Sequence, residues 1–142
     1  MALEVRGVTA LLQVYDMPTS VRFYRDVLGF EVVTTSPPYA EGRFHWCLLR
    51  LGGAEVMLNT AYEHDHERPA EPDAARTAAH EDTGLFFGCP DVDAAYRQLR
   101  DAGVAVKEPA VAGYGMKQLS VRDPDGYALC FQWAAAATSV PS

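Results

Sequence analysis

The sequence predicts an α+β protein built from two tandem βαβββ units. In each half of the chain, an apolar run typical of a strand precedes a helical pattern, and further strand-like runs follow. The landmarks also recur at a nearly constant spacing. Asp16 and Asp91 are 75 positions apart, and Gly29 and Gly103 are 74 apart. Because one such half cannot bury its own sheet face, this repeat indicates two copies of one structural unit.

The first copy contains one helix and four strands. Residues 8–14 predict a strand that ends at the turn-forming Tyr15-Asp16-Met17-Pro18. Thr19 or Ser20 is expected to cap a helix over SVRFYRDVLG, and Gly29 supplies the positive φ that ends many helices. The remaining strands are predicted at 31–35, 44–51 and 55–59.

The second copy follows the same order. Residues 85–89 predict a strand, and the stretch VDAAYRQLRDAG predicts a helix that ends at Gly103. Residues 104–106 predict a further strand. A closing hairpin is expected from 116–122 and 127–133. Its connection contains Asp123 and Asp125, which resemble a carboxylate pair for metal or acid–base chemistry. Pro between them and Gly after them favour a simple turn.

The repeat also sets the expected domain organisation. Residues 1–142 are predicted to form a single domain, with unit one at 5–59, a linker at 60–83, unit two at 84–133 and a frayed tail at 134–142. The linker has one expected helical turn at 73–79. It carries seven acids against two arginines, which gives −5 of the formal net charge of −7. The net charge therefore says little about a binding site.

Composition excludes several classes of function. The chain offers no basic face for phosphates, so nucleic acid is not expected as a partner. It contains no apolar run of the roughly 20 residues that a membrane helix needs. No signal-peptide pattern is present, so a cytoplasmic location is expected. Three widely spaced cysteines, Cys47, Cys89 and Cys130, are expected to be reduced thiols.

Three motifs point to a family. Together with the doubled unit, these motifs make the chain resemble the vicinal oxygen chelate superfamily, which includes glyoxalase I, extradiol dioxygenases and the fosfomycin and bleomycin resistance proteins. The motifs are FYRDVLGF, DVDAAYRQL and DPDGYALCFQ. The resemblance implies a cup-shaped mixed sheet with helices on its outer face, and a homodimer. The fold is shared by enzymes and binding proteins, so it does not by itself fix the function.

Members of this superfamily that use a metal place His or Glu on the first and last strand of each unit. The resemblance puts these positions at Thr9, Met57, Gly84 and Cys130 in this chain. None is a histidine or a carboxylate, and sulfur suits hard divalent metals poorly. We therefore expect no metal and no cofactor at this site.

Strand alternation predicts the side chains that line the cup. Glu55 and His45 are the candidate catalytic groups, although Glu55 could be a rim carboxylate and His45 a structural histidine. Trp46 could instead belong to the core, and Cys130 could be a nucleophile or a small buried hydrophobe. Tyr39, Phe44 and Tyr62 are expected around the mouth. The predicted ligand-binding residues are Gln13, Trp46, Glu55, Met57, Asn59, Phe86, Tyr114, Gln118, Ser120 and Cys130, with Gln132 beside them.

Three histidines in or beside the linker are a separate possibility for metal. His64 and His66 stand in EHDHE, and His80 precedes the second unit. No third ligand has a spacing that would fix a metal geometry, so a solvated loop or an incidental metal is expected.

These observations leave three hypotheses for function. The favoured one is a metal-independent protein that resembles the bleomycin resistance branch and sequesters an organic ligand, aromatic or cationic. The second is a lyase, isomerase or dioxygenase of the glyoxalase type, with a relocated metal or a metal-free acid–base site. The third is a structural or regulatory homodimer without a ligand.

Overall fold

The computed structural model of the protein describes residues 1–135. Most of the predicted tail, residues 136–142, lies outside the described residues. The chain divides between Thr77 and Ala78 into two compact units, called here unit 1 and unit 2.

Unit 1 is a four-stranded mixed sheet with one helix on one face. Its elements are β1 (Ala10–Val14), α1 (Met17–Val21) with a π-helical continuation at Arg22–Val27, β2 (Glu31–Thr35), β3 (Trp46–Leu51) and β4 (Ala54–Thr60). The strand order is β1-β4-β3-β2, in which β1 and β4 are parallel and the other pairs antiparallel.

The helix of unit 1 begins earlier than predicted. Asp16 is the N-cap, and its carboxylate accepts a hydrogen bond from the Thr19 backbone N–H at 3.2 Å. The prediction of Thr19 or Ser20 as the cap was therefore wrong, because Pro18 fits within the first turn, where its missing N–H costs nothing. Gly29 ends the helix at φ 94°, as predicted.

The core of unit 1 lies between the helix and one face of the sheet. Tyr24 is fully buried, and its ring packs edge-on against Phe30 with 5.6 Å between the ring centroids. The sheet contributes alternate apolar side chains to this layer, namely Leu12, Val14, Cys47, Leu49, Val56 and Leu58. Phe44, expected at the mouth of the cup, is also buried.

Unit 2 repeats this architecture. Its elements are β5 (Gly84–Gly88), α3 (Val92–Asp101), β6 (Ala110–Val111), β7 (Met116–Arg122) and β8 (Ala128–Ala134). The strand order is β5-β8-β7-β6, with β5 and β8 parallel. The α3 helix has Asp91 as its N-cap and packs against β7 and β8.

One predicted strand of unit 2 is wrong. Residues 104–106 form no strand, and β6 pairs with β7 only through Ala110 and Val111. Val104 and Val106 are half-buried and Ala105 is exposed. The apolar alternation therefore comes from an extended loop that packs on the protein without pairing to a neighbouring strand. Pro109, which has no N–H, directly precedes the two paired residues.

The segment between the two sheets is partly ordered. It contains a 3₁₀ turn at Asp65–Glu67, helix α2 (Ala74–Ala79) and a second 3₁₀ turn at His80–Asp82. The predicted helical turn at 73–79 is thereby confirmed.

The fold class is confirmed: the protein is α+β, with two tandem βαβββ units, each a four-stranded mixed sheet with helices. Within the described residues, no helix is both long enough and apolar enough to cross a membrane.

Candidate functional site

Each sheet has one face that packs on its helix and one that does not, called here the open face. On β4, Val56 and Leu58 are buried, whereas Glu55, Met57 and Asn59 on the opposite side are only half-buried. The pairing register of the strands shows which other side chains belong to each open face. The open face of unit 1 comprises Leu11, Gln13, Glu31, Trp46, Leu48, Arg50, Glu55, Met57 and Asn59. That of unit 2 comprises Gly84, Phe86, Gly88, Met116, Gln118, Ser120, Arg122, Ala128, Cys130 and Gln132.

The four positions that the resemblance assigns to metal ligands do not form a suitable donor set here. The Thr9 hydroxyl donates to the Glu55 carboxylate at 3.3 Å, and Met57 lies between Leu11 and Leu48 in the sheet. Gly84 has no side chain, and Cys130 offers only a thiol. Among residues 1–135, no group of three or more His, Cys, Asp or Glu side chains is arranged to hold a metal ion. These residues do not fit a hard divalent metal.

An aromatic ring covers the position of one of these missing ligands. A Cβ atom built on Gly84 would lie 3.3 Å from Cε2 of Phe86, so the Phe86 ring lies over the glycine. The same side chain is 61% exposed. Unit 2 therefore presents an aromatic surface on its open face, at a position that the resemblance assigns to a metal ligand.

Cys130 is next to this ring and is not an activated nucleophile. It is paired with Phe86 on one side and Ser120 on the other. Burial raises the pKa of the Cys130 thiol above its usual 9.0, and hydrogen bonds from Ser120 and the Leu119 backbone offset only part of this. The thiol is therefore protonated at neutral pH.

Two glutamines form a hydrogen-bonded pair at the other end of this open face. Gln118 and Gln132 are directly opposite each other on β7 and β8. Nε2 of Gln118 donates to Oε1 of Gln132 at 2.9 Å and also to the Tyr114 hydroxyl, whose side chain is 70% exposed. The structure thus brings together three of the side chains that the sequence predicted as ligand contacts or as their neighbours.

Glu55 of unit 1 is held by a neighbouring arginine. Nη2 of Arg50 lies 2.8 Å from Oε1 of Glu55, and Nε donates to the same oxygen at 3.0 Å. Arg50 and Glu55 are paired across the β3–β4 ladder, so the sheet itself positions them. The carboxylate is neutralised within the protein, and a basic ligand would have to compete with Arg50 for it.

The remaining predicted contacts of unit 1 share one row of the sheet. Gln13 is paired with Asn59, and Asn59 with Trp46. Trp46 is half-buried and alternates with the buried Cys47, so its side chain belongs to the open face and not to the core.

His45 does not join these residues. Its ring stacks on Tyr39 with 4.6 Å between centroids, and its Nδ1 lies 3.4 Å from the Thr60 hydroxyl. Thr60 has the strand parity of Val56 and Leu58, which is that of the helix-packed face. The candidate catalytic pair Glu55 and His45 therefore lies on different faces of the sheet.

The three histidines in or beside the linker do not form one cluster. The rings of His64 and His66 stack on each other with 5.4 Å between centroids, and both side chains are exposed. His80 stacks on Tyr127 at 3.9 Å, and its Nδ1 contacts the Asp125 carbonyl oxygen at 2.6 Å. His80 thereby fastens the end of the linker to the turn between β7 and β8.

A further polar depression in unit 1, called here the Tyr–Arg depression, was not predicted from the sequence. Its lining includes Tyr15, Tyr39, Tyr62, Arg43, Asp65 and Arg68. Asp65 accepts from the Tyr39 hydroxyl at 3.0 Å and lies within 4 Å of both arginines, at 3.6 and 3.8 Å. Tyr39 and Arg43 are more than 20 residues from Asp65 and meet it only because the linker folds back, whereas Arg68 is three residues further along the chain. Asp65 offsets part of the charge of the two arginines, Asp16 also pairs with Arg68, and these contacts fix the linker against unit 1.

Comparison with known proteins agrees with the fold. A sequence profile of the glyoxalase/bleomycin resistance protein/dioxygenase superfamily matches residues 7–131. The virulence protein STM3117 of Salmonella typhimurium is 28% identical over 120 residues, which is 82% of this chain and 75% of that protein.

Two solved structures share the architecture at low sequence identity. TnmS3, an antibiotic-binding protein from Streptomyces sp. CB03234, is 22% identical, with a TM-score of 0.67 over 94% of this chain and 100% of TnmS3. A bleomycin-binding protein in complex with bleomycin is 20% identical, with a TM-score of 0.66 over 90% of this chain and 98% of the other. With the match over residues 7–131, the conclusion is that this chain belongs to the glyoxalase/bleomycin resistance protein/dioxygenase superfamily.

Proposed function

We propose that this protein binds a small organic molecule without a metal ion, and that the open face of unit 2 is the principal binding surface. The observation that carries the proposal is the Phe86 ring, which is exposed and lies over Gly84 at a family metal position. An exposed aromatic ring can contribute stacking and apolar contact to a flat ligand. The antibiotic-binding and bleomycin-binding proteins of the same fold support a role of this kind.

The donor set supports binding without a metal. Thr9, Met57, Gly84 and Cys130 provide one hydroxyl and two sulfur atoms, whereas hard divalent metals prefer carboxylate and imidazole ligands. A protonated Cys130 is a poor ligand, because the thiolate is the form that binds metals.

The charge distribution favours an aromatic ligand over a cationic one. Glu55, the carboxylate that the sequence offered for a cation, forms an ion pair with Arg50. On the open face of unit 2, the charged side chain is Arg122, which is paired with Ala128 in the sheet. At the positions of the unit 2 open face given above, a positively charged ligand would meet no carboxylate, whereas Glu31 of unit 1 is exposed and paired with Arg50 in the sheet.

We further propose that the protein acts as a homodimer in a reducing compartment. Three free cysteines support a reducing environment, and two-fold dimers are the commonest assembly of soluble proteins. Light scattering coupled to size exclusion should then give twice the mass of one chain, and a monomeric mass would contradict the dimer.

Metal analysis and thermal shift test the function together. Untagged protein should contain far less than one metal ion per chain, and EDTA should leave its melting temperature unchanged. Neutral aromatic compounds should raise the melting temperature, because a ligand at a hundredfold excess over its Kd stabilises a protein by about 2.7 kcal/mol. Phe86→Ala should remove most of this shift, whereas Val111→Ala, an exposed side chain on the other face of the same sheet, should retain it.

The opposite pattern would support the enzyme hypothesis. Stoichiometric metal that stabilises the protein and is lost in Glu55→Gln or His45→Ala would contradict binding without a metal. It would direct attention to lyase, isomerase or dioxygenase chemistry at a relocated site.

A further inference from the structure

The glutamine pair on the open face of unit 2 has unused hydrogen-bonding capacity. Both N–H groups of the Gln118 amide are engaged, one by Oε1 of Gln132 and one by the Tyr114 hydroxyl. Within residues 1–135, no hydrogen bond uses Oε1 of Gln118 or Nε2 of Gln132. A side-chain amide can donate two hydrogen bonds and accept two, so the pair has one acceptor group and one donor group left for a ligand.

This property does not depend on which way the two amides are turned. If both groups are turned over, Gln132 donates to Gln118, and the Tyr114 hydroxyl donates to the same Gln118 oxygen. The free donor then belongs to Gln118 and the free acceptor to Gln132. In both arrangements, two adjacent amides offer one donor and one acceptor side by side. That pattern is complementary to a cis-amide edge, which also presents one N–H and one C=O.

The aromatic surface lies at a defined distance from this pair. Gln132 is paired with Gly88 at the end of β5, and the Phe86 ring lies over Gly84, four residues earlier on the same strand. Four residues of strand span about 13 Å. Between the two ends, the same face carries Cys130, which is paired with Phe86, and Ala128 lies at the aromatic end, where it is paired with Gly84. A molecule of this length can therefore lie along the sheet and reach both ends.

We propose that the ligand is an elongated, uncharged molecule with a lactam or carboxamide edge at one end and an aromatic ring at the other. The amide edge would bind Gln118 and Gln132, and the ring would lie on Phe86. This inference rests on the proposed function and narrows its ligand class. Arg122 and Gly84 are both paired with Ala128, so Arg122 lies at the aromatic end and disfavours a cationic group there.

A matched pair of probes tests the amide edge. The first is a phenyl-substituted quinolinone with a free lactam N–H, and the second is its N-methyl derivative, which keeps the ring system and loses the donor. Isothermal titration calorimetry would compare their binding to the intact protein. The lactam should bind about tenfold more tightly, as expected for one hydrogen-bond donor whose loss leaves a protein acceptor unpaired.

Substitutions assign the effect to the glutamine pair. Of Gln118→Leu and Gln132→Leu, the one that removes the free acceptor should reduce the lactam preference to less than about twofold, and the one that removes the free donor to the carbonyl should weaken both probes. Gln98→Leu, on the exposed surface of α3, is the matched control and should retain the preference. Gln118→Glu provides a second variant without an apolar substitution, since it keeps an acceptor beside Gln132 and should retain the lactam preference. Phe86→Ala should weaken both probes equally.

The outcomes separate this inference from the function on which it rests. Equal binding of the two probes, or a preference that survives Gln118→Leu and Gln132→Leu, would overturn the amide-edge inference. If neither probe binds but other neutral aromatic compounds do, the inference fails and the proposed function stands. If no organic compound binds and a divalent metal does, both fail.

Discussion

Asp123 and Asp125 are buried, with 5% and 2% exposure, although both belong to a turn. Oδ1 of Asp123 accepts hydrogen bonds from the backbone N–H groups of Asp125 and Tyr127, each at 2.9 Å. Gly126 completes the turn at φ 85°. The sequence correctly predicted a turn from the residue types. It did not predict that the turn is buried, because neighbours from other parts of the chain, such as His80, which stacks on Tyr127, cannot be identified from local residue types.

Replacement of Asp123 measures what this turn contributes. Asp123→Ala removes the acceptor of two backbone N–H groups at a buried site, so we expect a loss of about 3 kcal/mol in the free energy of unfolding. Asp123→Asn keeps an oxygen acceptor and should lose less, about 1 kcal/mol. Urea denaturation measures both. The exposed Asp101→Ala serves as a control and should change stability by less than about 0.5 kcal/mol.

Asp16 makes stability depend on pH. Burial raises the pKa of its carboxyl, but hydrogen bonds from Thr19 and the charges of Arg68 and Arg43 outweigh it, so the pKa lies below the usual 3.8. The Arg68 guanidinium is 2.8 Å away. A carboxyl with a lowered pKa stabilises the fold fully above its unfolded pKa, and this contribution is lost as the pH falls through the folded pKa.

Asp16→Asn should therefore flatten the acid side of the stability profile. Asn still caps a helix, so the helix itself should be retained. We expect the variant to lose less stability than the natural protein between about pH 5 and pH 2. Melting temperatures across this range provide the measurement, and parallel curves for the two proteins would argue against a role for the Asp16 charge.

At the scale of the elements, the repeat was the most informative pattern in the sequence. Asp16 and Asp91 are equivalent N-caps in the two units, and their spacing of 75 residues could have identified Asp16 as the cap. The π-helical continuation at Arg22–Val27 carries no comparable signal. It is seen only in the geometry, where the Leu28 N–H donates to the Phe23 carbonyl five residues earlier. The short β6 likewise depends on pairing, which local alternation does not determine.

The α3 cap provides a test at this scale. The Asp91 carboxylate accepts from the Ala94 N–H at 2.9 Å, so Asp91→Ala should lower the free energy of unfolding by about 1 kcal/mol. Asp91→Ser, which keeps a capping oxygen, should recover most of the loss. The midpoint of urea unfolding reports the change, provided that its slope stays constant. Equal midpoints for Asp91→Ala and the natural protein would show that the cap contributes nothing measurable.

At the scale of the whole molecule, strand parity predicted the membership of the open faces from sequence alone. Phe86, Gln118 and Cys130 lie on the open face of unit 2 because the side-chain period of a strand is two. What parity could not predict are the partners of these side chains. The Arg50–Glu55 ion pair, the Gln118–Gln132 pair and the Phe86 ring over Gly84 depend on register and rotamer. The first of these supports the proposal that the ligand is neutral, where the sequence left an aromatic or a cationic ligand open.

An NMR titration tests the central claim most directly. Protein labelled with ¹⁵N and treated with EDTA would be titrated with the neutral aromatic compound that gives the largest thermal shift. We predict that the amide signals of β5 and β8 and the side-chain NH₂ signals of Gln118 and Gln132 change with a common Kd. Changes confined to the Tyr–Arg depression, or changes that require an added divalent metal, would contradict metal-free binding on the open face of unit 2.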